Sequence, residues 1–288
     1  MALRAIGLAF LSSAALMALP VEGGAASEKD ADDALSFEID PLVQSDYIYR
    51  GVSLSARKPS AAVLATVDWH NFYLSGNFQS VSLPNDPALE VTLTGGYSWT
   101  SGKLELDVAA NYFYYPGQML TGTAANLNYW EYQLQATYDA SPVKLQGTFA
   151  YSPNVSGTGA WGAYGEGQIT YALPQLKLAN PIDWQLIASA GYWRFGNTSP
   201  DQGGFPLPSY VNWRVGVAFT LNDAITFDLS YWDTNLSRED CFVFTGDPAA
   251  SAGGAVDPIG NPLGLRSRLC GAALVGTLSA KIDSAKLK

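Results

Sequence analysis

Acidic and basic side chains recur at even spacings along several segments of the chain. Glu105 and Asp107 are two residues apart, and Asp46 and Arg50 are four apart. In a β-strand, residues at even spacing point to the same face. Charges of both signs facing a narrow, water-filled bore would create a transverse field that selects solutes. We therefore predict a charged pore lining made of Asp46, Arg50, Asp68, Glu90, Glu105, Asp107, Glu131, Lys144, Glu166, Arg214 and Asp228.

Two interpretations of the Asp46/Arg50 pair remain open. A salt bridge between the two side chains would only stabilise the barrel wall. Alternatively, one or both side chains would contact a passing solute directly.

Catalytic chemistry has little support in the sequence. A hydrolase needs a nucleophile activated by a base, usually serine with histidine, and the chain has a single histidine, His70, in a predicted two-residue turn. Glu105 and Asp107 could suggest a glycosidase pair, but neighbouring acids on one face of a wet strand are more simply electrostatic. The sequence has no phosphate-binding loop and no metal-ligand spacing. We expect no enzyme activity, no cofactor and no metal.

The elements that would hold these charges are strands with alternating polarity. In Ala88–Thr100, apolar Leu89, Val91 and Leu93 alternate with Glu90, Thr92 and Thr94. A tight Ser101-Gly102 turn follows, and the next segment repeats the pattern around Val108. Strands of about ten residues with period two, joined alternately by tight turns and long loops, are typical of transmembrane β-barrels.

Twelve strands of this kind fit along the chain. An even number lets the first and last strands pair, which leaves no open edge in lipid. The predicted fold is therefore all-β: a single antiparallel up-and-down transmembrane barrel of about twelve strands. Besides Ala88–Thr100 and the strand around Val108, the predicted strands are Ser36–Val52, Ala61–His70, Phe72–Val81, Tyr129–Asp139, Val143–Ser152, Trp161–Leu173, Asp183–Phe195, Tyr210–Leu221, Ala224–Asp233 and Gly271–Ile282.

The composition agrees with a membrane barrel. Charged residues make up 15% of the chain and aromatic residues 12%, whereas soluble domains average about 25% charged residues. Tyrosine and tryptophan gather near strand ends on the apolar face, as in the aromatic girdles at membrane interfaces. The net charge of −10 argues against a nucleic-acid partner.

The N-terminal residues predict export. Arg4 precedes an apolar stretch, and small residues follow near Ala26, which is the pattern of a cleaved signal peptide. We divide the chain into a signal peptide at 1–26, a short periplasmic segment at 27–35, the barrel at 36–283 and a tail at 284–288. The expected location is the bacterial outer membrane, where the partners would be lipids and, during biogenesis, the barrel-insertion machinery.

Cys241 and Cys270 lie at the two ends of the longest predicted loop. In an oxidising compartment a disulfide between them would close that loop. Two free thiols near the rim are the alternative.

The tract Ser45–Val81 resembles the TorF-type porin family of proteobacterial outer-membrane proteins. Shorter similarities are YYPG (Tyr114–Gly117), NYWEYQL (Asn128–Leu134) and YSPN (Tyr151–Asn154). The residues that carry the main similarity are Ser45, Asp46, Tyr47, Tyr49, Arg50, Gly51, Ser53, Pro59, Tyr73 and Gly76. The resemblance implies an outer-membrane barrel.

Together these observations predict a porin-like channel for passive diffusion of small hydrophilic solutes. The loops Gly196–Ser209 and Cys241–Cys270 could fold inward and narrow it. A second hypothesis is a non-conducting structural or adhesive barrel that acts through its external loops.

Overall fold

The computed structural model of the chain describes residues 35–120, 126–176 and 182–283. The predicted signal peptide, residues 27–34 of the N-terminal segment, and the tail at 284–288 lie outside the described residues. Within these ranges, no helix has the length and apolar character needed to cross a bilayer.

Alternating polarity and aromatic content produce strands over more than half of the described sequence. The helical elements are α1 (Arg238–Thr245) and short 3₁₀ turns at Val155–Gly157 and Pro200–Gln202. The strands in chain order are β1 (Ser36–Gln44), β2 (Ile48–Tyr49), β3 (Val52–Ser53), β4 (Ser60–Trp69), β5 (Phe72–Gln79), β6 (Glu90–Ser101), β7 (Leu104–Tyr114), β8 (Tyr129–Ala140), β9 (Val143–Ser152), β10 (Gly162–Ala172), β11 (Ile182–Phe195), β12 (Tyr210–Leu221), β13 (Ile225–Thr234), β14 (Ala273–Ala280) and β15 (Ile282–Asp283).

Twelve of these strands, β1 and β4 through β14, form one closed antiparallel wall. Each pairs with the next in sequence, and β14 returns to pair with β1 through Leu42 opposite Ser279 and Gln44 opposite Thr277. The short β15 extends the closure by pairing with β1 as well. The prediction of a twelve-stranded antiparallel barrel is confirmed.

Tight turns and long connections lie at opposite rims of the barrel. The tight-turn rim carries the links at 70–71, 102–103, 141–142 and 222–224, together with the longer connection after β10. This connection between β10 and β11 is described up to residue 176 and again from residue 182. The long-loop rim carries the connections at 45–59, 80–89, 115–128, 153–161, 196–209 and 235–272.

The outer surface of the wall is apolar. Leu93 on β6 is 48% exposed and Val108 on β7 is 49% exposed. Large aromatic side chains also point outward, among them Trp69, Trp99, Trp130, Tyr138 and Tyr192. Such a surface suits hydrocarbon with interfacial aromatic anchors, and it would be unfavourable in water.

The lumen is packed at one end and accessible at the other. On β7, the inward-facing Glu105 and Asp107 near the tight-turn rim are partly exposed. Farther along the same face, Asn111 and Phe113 are buried. The barrel core therefore lies inside the lumen, toward the long-loop rim.

One strand prediction is wrong. The predicted strand Ser36–Val52 ends at Gln44, because the chain turns into the lumen after Ser45. Residues 46–55 form a separate two-stranded unit, β2 with β3, which pairs with no wall strand. We call residues 46–55 the inner hairpin.

Candidate functional site

The inner hairpin reverses direction at Arg50 and Gly51. Both have positive φ, 45° and 84°, as required at the two central positions of a type I′ turn. A glycine suits the second position, because a Cβ on Gly51 would lie 2.3 Å from Thr234 Cγ2 on β13. The tip of the hairpin is thus pressed against the barrel wall.

Asp46 holds the base of the hairpin. Its carboxylate accepts hydrogen bonds from Ser53 Oγ at 2.6 Å and Ser55 Oγ at 2.9 Å, and it pairs with Arg57 at 3.3 Å. The prediction that Asp46 and Arg50 share one strand face is wrong, because the chain is no longer an extended wall strand there. Their partners are Arg57 and Glu131, respectively.

Arg50 reaches across the lumen to Glu131 on β8. Its two terminal nitrogens donate to the two carboxylate oxygens, each at 2.9 Å. The Arg50 and Glu131 side chains are only 6% and 3% exposed. A bidentate pair of this kind is among the strongest charge-assisted contacts in proteins.

Three aromatic rings enclose the Arg50 guanidinium. Its carbon lies 4.6, 4.0 and 4.4 Å from the ring centroids of Tyr49, Tyr164 and Trp193, respectively. Tyr210 adds a hydrogen bond from its hydroxyl to the Arg50 carbonyl at 3.1 Å. Cation–π attraction in a desolvated site compensates part of the cost of burying the charge.

The pKa values of two side chains in the inner hairpin are shifted by this buried environment. Burial alone would lower the pKa of Arg50, but the Glu131 carboxylate together with Tyr49 and Tyr164 outweighs burial, so the pKa lies above its ordinary value. Burial, followed by the Glu90 charge, raises the pKa of Tyr47 well above its ordinary value. Arg50 is therefore cationic and Tyr47 neutral at physiological pH.

Glu90 on β6 also binds the hairpin, and β7 alone separates β6 from β8 in the wall. Its carboxylate accepts from the Tyr47 hydroxyl at 2.9 Å and from the Tyr115 hydroxyl at 2.6 Å. The residue is fully buried. Glu90 and Glu131 thus hold the hairpin from two nearby strands of the wall.

An inner aromatic cluster surrounds these contacts. Phe244 of α1 packs against Phe195 and Tyr210, with ring centroids 5.0 and 5.3 Å apart. Apolar residues of the hairpin and the loops complete the packing. We define the inner aromatic cluster as Tyr47, Tyr49, Phe113, Tyr115, Tyr129, Tyr164, Trp193, Phe195, Phe205, Tyr210 and Phe244, all buried.

The two cysteines are joined as the sequence suggested. Cys241 on α1 and Cys270 form a disulfide with a Cα–Cα distance of 5.7 Å. Ser237 begins the helix by accepting a hydrogen bond from the Asp240 amide at 3.0 Å. The disulfide holds α1 over the inner aromatic cluster, so this loop does fold inward.

The tight-turn half of the lumen forms a polar vestibule, lined by the partly exposed Asp68, Glu105, Asp107, Lys144 and Glu166. Tyr73 donates to Asp107 at 3.1 Å and Tyr164 donates to Glu166 at 2.7 Å. Acidic side chains and the basic Lys144 are therefore both accessible to water in the vestibule. The vestibule ends where the inner hairpin begins.

A second buried ion pair belongs to the wall itself. Arg214 donates to Asp228 at 2.8 Å and to Ser230 at 2.9 Å, on the neighbouring strands β12 and β13. Unlike Arg50–Glu131, this pair makes no contact with the hairpin that the structure records. It stabilises the wall locally.

The structure therefore separates the predicted pore-lining residues into three groups. Asp68, Glu105, Asp107, Lys144 and Glu166 face the vestibule. Glu90, Glu131, Arg214 and Asp228 lie on the inner face but are buried, and Asp46 and Arg50 belong to the hairpin. Among the described residues, no group of three or more potential ligands is placed to bind a metal ion.

Sequence reasoning missed the inner aromatic cluster. Tyr47 and Tyr49 lie within the predicted wall strand Ser36–Val52, in the phase opposite to Asp46 and Arg50, but both are buried inside the barrel. The sequence does contain a signal for this cluster, because Phe113, Tyr129 and Tyr164 occupy the polar phase of their strands. Each lies at the end nearest the long-loop rim, where an open pore would have a polar side chain.

Several solved barrels are similar to this chain. The NanC porin has a TM-score of 0.48 and 9% identity, covering 85% of this chain and 98% of that one. An outer membrane channel from Pseudomonas putida F1 has a TM-score of 0.40 and 11% identity, covering 90% and 98%. OmpT of Vibrio cholerae has a TM-score of 0.40 and 7% identity, covering 87% and 97%.

A search of curated protein sequences finds no match. The family model described as "Bacterial protein of unknown function (Gcw_chp)" matches residues 28–253. Because this match includes most of the chain, from before β1 into the loop after β13, the protein belongs to the Gcw_chp family.

Proposed function

We propose that the protein is a narrow porin-like channel of the bacterial outer membrane, with the inner hairpin as its constriction. The solutes would be small and hydrophilic, crossing by passive diffusion. The observation that carries this proposal is the vestibule, a polar space with charges of both signs that leads directly to the hairpin. A purely structural barrel has no need of a water-accessible charged interior.

The hairpin is suited to moving without damage to the wall. It forms its own two-stranded sheet, so no wall ladder depends on it. It is attached to the wall by side-chain contacts, from Arg50 to Glu131 and from Tyr47 to Glu90. Two backbone hydrogen bonds, between Ser53 and Leu269 and between Leu54 and Ser82, attach it to the loops. Releasing these contacts would let the hairpin move while the twelve strands stay paired.

The wider biological setting is part of the same proposal. The apolar outer surface supports insertion in lipid, and the residues that resemble the TorF-type porins are largely those of the inner hairpin. Export through a cleaved signal peptide and assembly by the barrel-insertion machinery would follow. No reaction is assigned to the barrel.

The proposal is tested by conductance in planar bilayers. The purified full-length chain should give discrete but small conductance steps. Glu131→Gln should increase the open fraction or the step size, because it removes the charge that holds Arg50. A folded barrel is verified beforehand by its heat-modifiable migration on a gel.

Arg214→Gln is the matched control. It removes a charge from the other buried lumen pair, which does not hold the hairpin. Its conductance should stay close to wild type. If the wild-type protein and Glu131→Gln are both silent as folded barrels, the channel proposal is wrong.

A non-conducting barrel that acts through its external loops is the second candidate. It is favoured by the packing of the inner aromatic cluster, which fills the lumen near the long-loop rim. It predicts no conductance in any of these variants. The same bilayer experiment therefore separates the two functions.

A further inference from the structure

A cavity of about 540 Å³ lies among the loops of the long-loop rim. Its walls come from the segment after β3, the β5–β6 loop and the long loop between β13 and β14. Small-molecule sites in proteins commonly enclose about 300–1,000 Å³. The cavity is therefore large enough for a small organic molecule.

The charge of this cavity is opposite to that of the chain. The full sequence has a net charge of −10, yet Lys58, Arg266 and Arg268 line the cavity with Asp247 as the single acid. Asp247 already accepts hydrogen bonds from Ser267 Oγ and the Ala249 amide, each at 2.8 Å. The cavity thus concentrates positive charge.

Of the three cations, Arg266 alone is paired with an acid in the described part of the chain. Arg266 Nε lies 3.5 Å from Glu239 but makes no hydrogen bond, although that nitrogen is buried. Lys58 and Arg268 are exposed and form no ion pair within the part of the chain that the structure describes. The Lys58 and Arg268 side chains are therefore available to an external oxyanion.

The cavity is held together by contacts between its loops. Arg57 donates to the carbonyls of Arg268 and Gly271 at 3.0 and 2.7 Å. The Ser53 amide bonds to the Leu269 carbonyl at 2.8 Å, and the Cys270 disulfide lies next to it. A preformed cavity loses less entropy when it binds a ligand.

Apolar groups complete the wall, including Leu83, Pro84, Pro248 and Leu269. An inorganic ion would leave these surfaces uncovered. An organic acid would place its carboxylate on the cations and its apolar body against these side chains.

We infer that this cavity binds small organic anions, in which a carboxylate is attached to an apolar body. The inference rests on the proposed channel in one respect: the role of the cavity would be to capture the solute beside the constriction. Ser53 lines the cavity and also belongs to the inner hairpin. An occupied cavity therefore contacts the hairpin directly.

Equilibrium binding tests this inference without any conductance. The folded full-length protein in neutral detergent is titrated calorimetrically with benzoate, and with benzamide as its uncharged analogue of similar shape. Benzoate should bind saturably, and benzamide at least tenfold more weakly. Lys58→Gln and Arg268→Gln should each weaken benzoate binding by about tenfold, the usual effect of one lost charge-assisted hydrogen bond.

Charge-matched variants elsewhere provide the control. Lys103→Gln at the tight-turn rim and Arg194→Gln on the outer face of β11 should change benzoate affinity less than twofold. Equal weakening in all four variants would reduce the effect to net charge and overturn the inference. Absence of saturable benzoate binding would also overturn it.

A lipid headgroup is the competing source of an oxyanion. The titration is repeated with phosphatidylglycerol in the micelles, which should leave the benzoate affinity nearly unchanged. If only the lipid binds, the solute site is wrong. A barrel that is silent in bilayers but binds benzoate refutes the channel alone, and a conducting barrel that does not bind refutes this site alone.

Discussion

Arg50 and Glu131 are joined by two hydrogen bonds of 2.9 Å across the bore of the barrel. Arg50 follows β1 in sequence, and Glu131 lies on β8, with β4, β5, β6 and β7 between those strands in the wall. The pair therefore connects the inner hairpin to a distant part of the wall. Breaking this pair would loosen the packing of the hairpin in the lumen.

Removing one partner of this pair should destabilise the protein more than removing both. Glu131→Leu leaves the Arg50 charge buried without a counter-ion, which costs about 3–5 kcal/mol in comparable sites. Arg50→Met combined with Glu131→Leu removes both charges and should recover at least half of that loss. The measurement is the free energy of unfolding in urea, with the protein reconstituted in lipid.

Hydrogen exchange locates the effect. In Glu131→Leu, the amides of residues 46–55 should exchange faster, while those of β6 and β7 should remain protected. Equal loss of protection in the wall strands would contradict the independence of the hairpin.

Gly51→Ala should loosen the hairpin through a steric conflict with β13. The new Cβ would lie 2.3 Å from Thr234 Cγ2, at a φ of +84°. Left-handed strain and overpacking together should cost about 2–4 kcal/mol. The loss is measured by urea unfolding.

Gly102→Ala is the control for that variant. Gly102 has a φ of +60°, but no atom lies within 4 Å of the added Cβ. It should cost only the backbone strain, about 1–2 kcal/mol. Adding Thr234→Ser to Gly51→Ala removes the clashing methyl and should restore part of the stability, and no restoration would contradict the proposed clash.

The wall could be predicted because a barrel strand has one dominant local signal. Leu93 and Val108 follow the period of two without interruption. The turn that sets how their strands pair lies at Gly102-Lys103, one residue later than the predicted Ser101-Gly102 turn. The β12 bounds, Tyr210–Leu221, agree with the structure to the residue. Because each predicted strand has the same alternation of apolar and polar residues, the number of strands can be counted, and an even number predicts closure.

The interior could not be predicted in the same way, because its contacts are distant in sequence. Tyr47 and Tyr49 alternate with Asp46 and Ile48, so residues 46–49 look like the continuation of a wall strand. The chain leaves the wall at a bend of Ser45 and Asp46 and then reverses at Arg50, which has a positive φ, and neither step has a distinctive residue type in the sequence. The partner of Arg50, Glu131, is 81 residues away.

Loss of the disulfide should release α1 from the lumen. Cys241 and Cys270 are 29 residues apart, and the chain-entropy estimate for closing such a loop is about 3–4 kcal/mol. Cys241→Ser with Cys270→Ser should lower the unfolding free energy by up to that amount and increase protease cleavage within residues 235–272. Reductant should reproduce the effect in wild type and do nothing further to the double variant.

Spin labels distinguish the three environments that the structure assigns along two neighbouring strands. Labels on Leu93 and Val108 should be accessible to oxygen and shielded from a water-soluble nickel reagent, because both side chains face the hydrocarbon. A label on Glu105 should show the reverse, since this residue faces the vestibule. Glu90 is 0% exposed, so it should react slowly with a thiol label, and the label should be shielded from both reagents. Nickel access at a Glu90 label in an otherwise stable barrel would mean that the lumen is open past the hairpin at rest, and the inner hairpin would then no longer be the constriction.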